Sequence, residues 1–191
     1  MAPKDLAAHR APAWNELPDL DLYMDQVIGF LEKQLSFFYG EEKVLTSTMI
    51  NNYVKGRLLP PPVNKRYGRQ HLARLYQICI LKSFMQLSDA GALLSAVWEG
   101  LSPEAAHERF CRSLDRAVAG VFSHAVPPAE KKGAVDRALD AACVAAACIL
   151  QAKILYRDAL PLSAPAAAPK KKARKASGAP DGPKPVPGKK G

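Results

Sequence analysis

The chain has 191 residues and a formal charge of +9, room for one domain, or one domain with an extension. That charge is concentrated. Residues 43–88 hold eight Lys or Arg and no acid, residues 161–191 hold eight against one acid, and the remainder has 11 basic against 17 acidic residues. Clustering of this kind is a better footprint for a polyanionic partner than a high isoelectric point. The longest uncharged apolar run, 141–152, falls short of the about 20 residues a bilayer span needs and argues against a membrane protein.

In chain order, residues 1–18 read as a flexible lead, with Trp14 and Leu17 able to dock. A first helix is expected over Asp19–Phe38, because Leu20, Met24, Val27, Leu31, Leu35 and Phe38 follow the spacing of one buried stripe. A short helix follows over Ser47–Lys55, with Thr46 or Ser47 as N-cap and Gly56 as the stop. Pro60, Pro61 and Pro62 forbid its continuation, and Val63–Gly68 reads as a short basic loop or hairpin.

Arg69–Met85 is predicted to be the central helix, since it is apolar nearly all round. A shorter helix starts at Ser88 and closes at Gly100. Ser102-Pro103-Glu104 is a strong helix start, with a capping hydroxyl, a proline in the first turn and an acid at the positive dipole end. That helix should reach about Ser123, before the break at Val126-Pro127-Pro128. An alanine-rich helix is expected over Glu130–Leu160. From Pro161 the composition turns to Ala, Pro, Lys and Gly without apolar periodicity, which predicts a disordered basic tail. The expected organisation is an all-α chain: lead 1–18, domain 19–100, helical dimerisation or effector region 101–160, and tail 161–191.

The short helix carries the chemistry. At 100° per residue, Thr48, Asn51, Asn52 and Lys55 fall within one arc about 100° wide, while Met49, Ile50, Tyr53 and Val54 lie opposite. A helix this short must dock through its apolar side to be stable. Docking leaves a hydroxyl, two amides and an ammonium facing out. Asn can pair bidentately with adenine, Thr can meet a base edge or a thymine methyl, and Lys can reach guanine or phosphate.

Residues 45–94 resemble the DNA-binding domain of the MerR-type winged helix-turn-helix regulators, through Tyr53, Leu58-Leu59-Pro60-Pro61, Arg66-Tyr67, and Leu72, Leu75, Ile78 and Leu81. A closer likeness, over Leu17–Leu94, is to an uncharacterised bacterial family of domain-of-unknown-function type sharing the TMINNYVK…PPP…KRY core. Two departures stand out: Asn51-Asn52-Tyr53 replaces the usual Arg-Tyr-Tyr, and Arg57 sits where a glycine customarily precedes Leu-Leu. The resemblance implies a homodimer on double-stranded DNA, with the helix in the major groove and a small β wing on the flanking backbone. By that analogy Thr48, Asn51 and Asn52 are the base-edge candidates. Tyr53, Lys55, Arg57, Lys65, Arg66, Tyr67 and Arg69 are the candidates for phosphate. Arg74, inside the central helix, reads as structural.

The expected function is therefore a cytoplasmic, nucleoid-associated transcriptional regulator with an unidentified small-molecule effector. Two competing readings are a helical protein-interaction adaptor that has lost DNA binding, and a non-specific nucleoid-type binder using the Lys170–Lys175 run. No enzyme and no cofactor are expected, since phosphate-loop, nucleophile-elbow and HExxH patterns are missing. Cys79, Cys111, Cys143 and Cys148 form no CxxC pair and read as buried small hydrophobes rather than metal ligands. Met1–Trp14 is polar and proline-interrupted, unlike a secretory signal, so a reducing compartment is expected. His71, His107 and His124 are placed at helix surfaces, and His9 in the lead.

Overall fold

The computed structural model describes residues 8–40, 42–123 and 133–159; His124 and the whole basic tail lie outside them. Among the described residues the protein is all-helical, without a strand. A 3-10 turn, Trp14–Glu16, precedes α1 (Met24–Gln34), α2 (Ser36–Tyr39), α3 (Ser47–Lys55), α4 (Arg69–Leu81), α5 (Leu87–Trp98), α6 (Pro103–Ser123) and α7 (Ala134–Ala159).

The first helix is shorter than its periodicity predicts. Asp19–Tyr23 is drawn out of it because Leu22 exchanges backbone hydrogen bonds with Tyr67, at 3.0 and 2.8 Å. Leu20, counted in the apolar stripe, is consequently 79% exposed. The Gln26 side chain accepts from the Tyr23 amide at 2.9 Å and starts α1 in its place. Val27, Leu31, Leu35 and Phe38 do form the buried stripe, although Leu35 leaves helical geometry and divides α1 from α2.

The α4 helix is the axis of the core. Leu72, Ala73, Leu75, Tyr76, Gln77, Ile78, Cys79, Ile80 and Leu81 are all buried, and α1, α5, α6 and α7 pack around it. It ends at Leu81 rather than Met85, where Lys82 turns its ammonium onto the Val44 carbonyl. Arg74 is a staple, as expected: Nε donates to the Leu58 carbonyl at 3.2 Å and Nη1 to that of Leu94 at 3.1 Å.

The largest helix–helix contact is between α6 and α7. Arg109 pairs with Asp136 at 2.7 Å, Ser113 donates to Asp140 at 2.8 Å, and Gln151 donates to the Val121 carbonyl at 3.4 Å. The partners advance together along both chains, so the helices run parallel. Ala142, Ala146 and Ala147 are buried on α7. By length and composition alone, Ala134–Leu155 could cross a bilayer. About a third of this stretch is buried, with Leu139, Cys143 and Leu150 on one face forming part of the core.

Helices on both sides of residue 100 share one continuous core that runs from Ala11 to Leu150. The lead takes part in it. Ala11 and Leu17 are buried, the Ala11 amide donates to Asp115 on α6 at 2.7 Å, and the Pro12 carbonyl lies 2.8 Å from His107 Nε2. His107 is therefore not at a helix surface but wholly buried beneath the arm. Burial, opposed by the Pro12 hydrogen bond and by Glu108, pulls its pKa below 6.5. Cys79, Cys111 and Cys143 are buried, whereas Cys148 is exposed.

Candidate nucleic-acid interface

Thr46 Oγ1 accepts from the Met49 amide at 3.2 Å and starts α3, one of the two caps its sequence allows. Ile50 and Tyr53 are buried, Met49 and Val54 are half-buried, and Thr48, Asn51, Asn52 and Lys55 are exposed. The helical wheel and the packing thus agree residue for residue. Two amides, a hydroxyl and an ammonium stand on one solvent-facing strip about 100° wide.

The exit of α3 departs from the sequence reading in an informative way. The Leu58 amide bonds back to Tyr53 O at 2.9 Å and the Arg57 amide to Val54 O at 3.1 Å, which together make a Schellman turn. The residue this turn holds in the left-handed region is Arg57, with φ of 59°, not Gly56. Such a conformation costs a non-glycine residue about 1–2 kcal/mol. Gly56 sits in a tight space instead: a Cβ there would lie 3.2 Å from both the Asn52 carbonyl oxygen and Leu58 Cδ1, which would have to give by a few tenths of an ångström.

A second cation is held the same way. Val63 and Arg66 exchange backbone hydrogen bonds of 3.1 and 2.9 Å, and the residues between them, Asn64 and Lys65, have φ of 49° and 63°. Positive φ at both central positions defines a type I′ hairpin turn, whose second position favours glycine. Here Lys65 occupies it, exposed to solvent. No β wing forms among the described residues; this turn and two isolated bridges, Val63–Arg66 and Leu22–Tyr67, stand where one was expected.

Three nominated residues are placed away from a free surface. Tyr53 and Tyr67 are core residues, 3% and 2% exposed. Tyr53 lies on the docking side of α3, where burial and neighbouring Cys79 raise its pKa to about 12. Tyr67 packs edge-on against His71, ring centroids 5.5 Å apart. Arg69 pairs with Asp19 at 2.8 Å, its guanidinium carbon 5.7 Å from the Trp14 ring centroid. Arg66 is exposed but engaged, donating to the Tyr23 hydroxyl at 2.9 Å and lying over the Tyr23 ring at 4.7 Å. His71 does local work as well, its Nδ1 accepting from the Gly68 amide at 3.1 Å to start α4.

The acid-free window is therefore not acid-free in space. The Asp19–Tyr23 segment, drawn alongside the hairpin, brings Asp19 to Arg69 and Asp21 against Gly68, where a Cβ would lie 2.7 Å from Asp21 Oδ1. Lys82 and Arg74 turn inward onto backbone carbonyls. Lys43, Lys55, Arg57, Lys65 and Arg66 remain exposed, with no carboxylate in ion-pair range among the described residues. Lys55 and Arg57 border the amide strip itself. No cluster of three or more His, Cys, Asp or Glu able to hold a metal occurs among the described residues.

Residues 12–110 match the family described as Domain of unknown function (DUF1836), and the chain belongs to that family. The match begins in the docked arm and ends within α6, so it takes in the strip, the hairpin turn and the core beneath them. No curated protein and no solved structure matches the chain.

Proposed function

We propose that the protein is a sequence-specific double-stranded DNA-binding transcriptional regulator of winged helix-turn-helix, MerR-like type, with α3 as its reading helix. One observation carries the reading: α3 docks by Ile50 and Tyr53 and leaves Thr48, Asn51, Asn52 and Lys55 free to meet base edges. The cations beside the strip serve the phosphates. Arg57 and Lys65 support this, because both hold positions where glycine is the low-energy residue, and local backbone strain concentrates at functional sites. The protein acts as a homodimer in the cytoplasm, at the nucleoid. Binding-site selection from random duplexes with the full chain should return an enriched motif. Recovery of no motif, at any salt concentration that permits binding, overturns the proposal.

A second reading has its own observation. Arg66 and Arg69 are engaged by Tyr23 and Asp19, which leaves the hairpin a smaller charge for a DNA backbone. That suits a protein-interaction adaptor, for which the remaining exposed Lys43, Lys55, Arg57 and Lys65 are enough to meet an acidic partner. Full stability with no duplex affinity at low salt would favour it.

A further inference from the structure

We infer that the hollow between the exit of α3 and the C-terminal end of α5 is a binding site for a small apolar carboxylate of about the size of benzoate. Its volume is about 340 Å³, at the lower end of the range for small-molecule sites. None of its lining residues is acidic. Arg57, Arg74 and Gln70 are among its lining residues. Leu58, Pro60 and Trp98 give it an apolar wall.

The Arg74 guanidinium makes the hollow selective for an anion. It is half-buried, and among the described residues no carboxylate lies in ion-pair range of it. Its hydrogen bonds go to the Leu58 and Leu94 carbonyls and, at 3.4 Å, to the Ser95 hydroxyl. Arginine has five N–H donors, so each terminal nitrogen keeps one to spare. A partly buried cation satisfied only by neutral groups leaves its desolvation cost poorly offset, and a carboxylate arriving beside it corrects that.

The wall is built in advance. Trp98 Nε1 donates to Gln77 Oε1 at 2.8 Å, and Gln77 is wholly buried. The Arg74 guanidinium carbon lies 5.0 Å from the Trp98 ring centroid, and Leu58 is seated against Gly91 of α5, where a Cβ would be 3.3 Å away. Pockets that discriminate small molecules combine such a fixed apolar surface with a few polar groups. Inorganic or backbone phosphate could use the two arginines but gains nothing from Leu58, Pro60 and Trp98. The inference stands independently of the DNA reading.

The test follows the two indole N–H resonances, Trp14 and Trp98, in ¹H–¹⁵N spectra of the full chain. Benzoate, uncharged benzamide and inorganic phosphate are titrated in turn. Benzoate should shift the Trp98 resonance saturably, with a dissociation constant of about 1 mM or tighter, and leave Trp14 in place. Benzamide should bind at least about tenfold more weakly, and Arg57→Gln should weaken benzoate by about tenfold, the value of one charge-assisted hydrogen bond. Four results would each overturn the inference: no saturation with benzoate, benzamide binding equally well, phosphate matching benzoate, or Arg57→Gln without effect.

Discussion

Replacing Arg57 by glycine separates the two roles that its position combines. Its φ of 59° costs a side-chain-bearing residue about 1–2 kcal/mol, and glycine escapes that cost. Glycine also gives the unfolded chain more freedom, which takes back about 0.4–1 kcal/mol. The exposed side chain has no hydrogen bond or ion pair to lose among the described residues. The net expectation is a gain of about 0.5–1 kcal/mol, a rise in Tm of roughly 1–4 °C for a chain of this size. DNA binding should move the other way. Loss of one phosphate contact lowers the slope of log K against log salt by about 0.9. Thermal melts followed by circular dichroism and duplex anisotropy at several salt concentrations read both quantities. Arg57→Gln is the control: it keeps the Cβ and its strain, so its Tm should not rise, yet its salt slope should fall. A lower Tm for Arg57→Gly would refute the strain argument, and an unchanged slope would remove Arg57 from the DNA surface.

Asn51→Ala and Asn52→Ala should leave stability within about 0.5 kcal/mol, as for exposed positions generally, while relaxing sequence preference by about 1–3 kcal/mol per lost base contact; competition binding on matched and mutated duplexes reads this. Ile50→Ala, at a wholly buried site under α3, should cost about 2–5 kcal/mol in urea unfolding. His107 fixes the acid limb of stability: burial pulls its folded pKa below 6.5, so the unfolded chain binds a proton that the folded chain resists. Its contribution is complete above about pH 6.5 and is lost as pH falls toward the folded value. His9, shifted the same way by burial and by Arg10, adds to that loss, whereas burial raises the pKa of Asp115 beside the arm and works in the opposite sense at lower pH. Urea melts at pH 7.5 and pH 5.5 should show the decline, and His107→Gln should reduce it.

Whatever a helix states locally was readable from the chain. Thr46 and the Ser102-Pro103-Glu104 start fix the beginnings of α3 and α6 within a turn of sequence, and the angular positions of Asn51 and Asn52 place them outside before any packing is known. What depended on distant partners was not readable. Leu22 leaves the first helix because Tyr67 offers it backbone hydrogen bonds. His107 is buried because Pro12 lies over it. Arg69 looked free because Asp19, its counter-ion, is 50 positions away. The resemblance puts Tyr53 at phosphate, whereas its helical angle puts it beside Ile50, and the structure buries it there. One overlooked signal was present: with Gly56 a position early, Arg57 had to take the left-handed turn itself.

The most direct measurement of the central claim is a ¹H–¹⁵N map of the full chain titrated with a selected duplex, read at the side-chain amides of Asn51 and Asn52. The account expects both amide pairs to shift strongly with the matched duplex and far less with a scrambled one of equal length, while the buried Gln77 amide stays put. Equal shifts with both duplexes, or perturbations that leave α3 untouched, would contradict it.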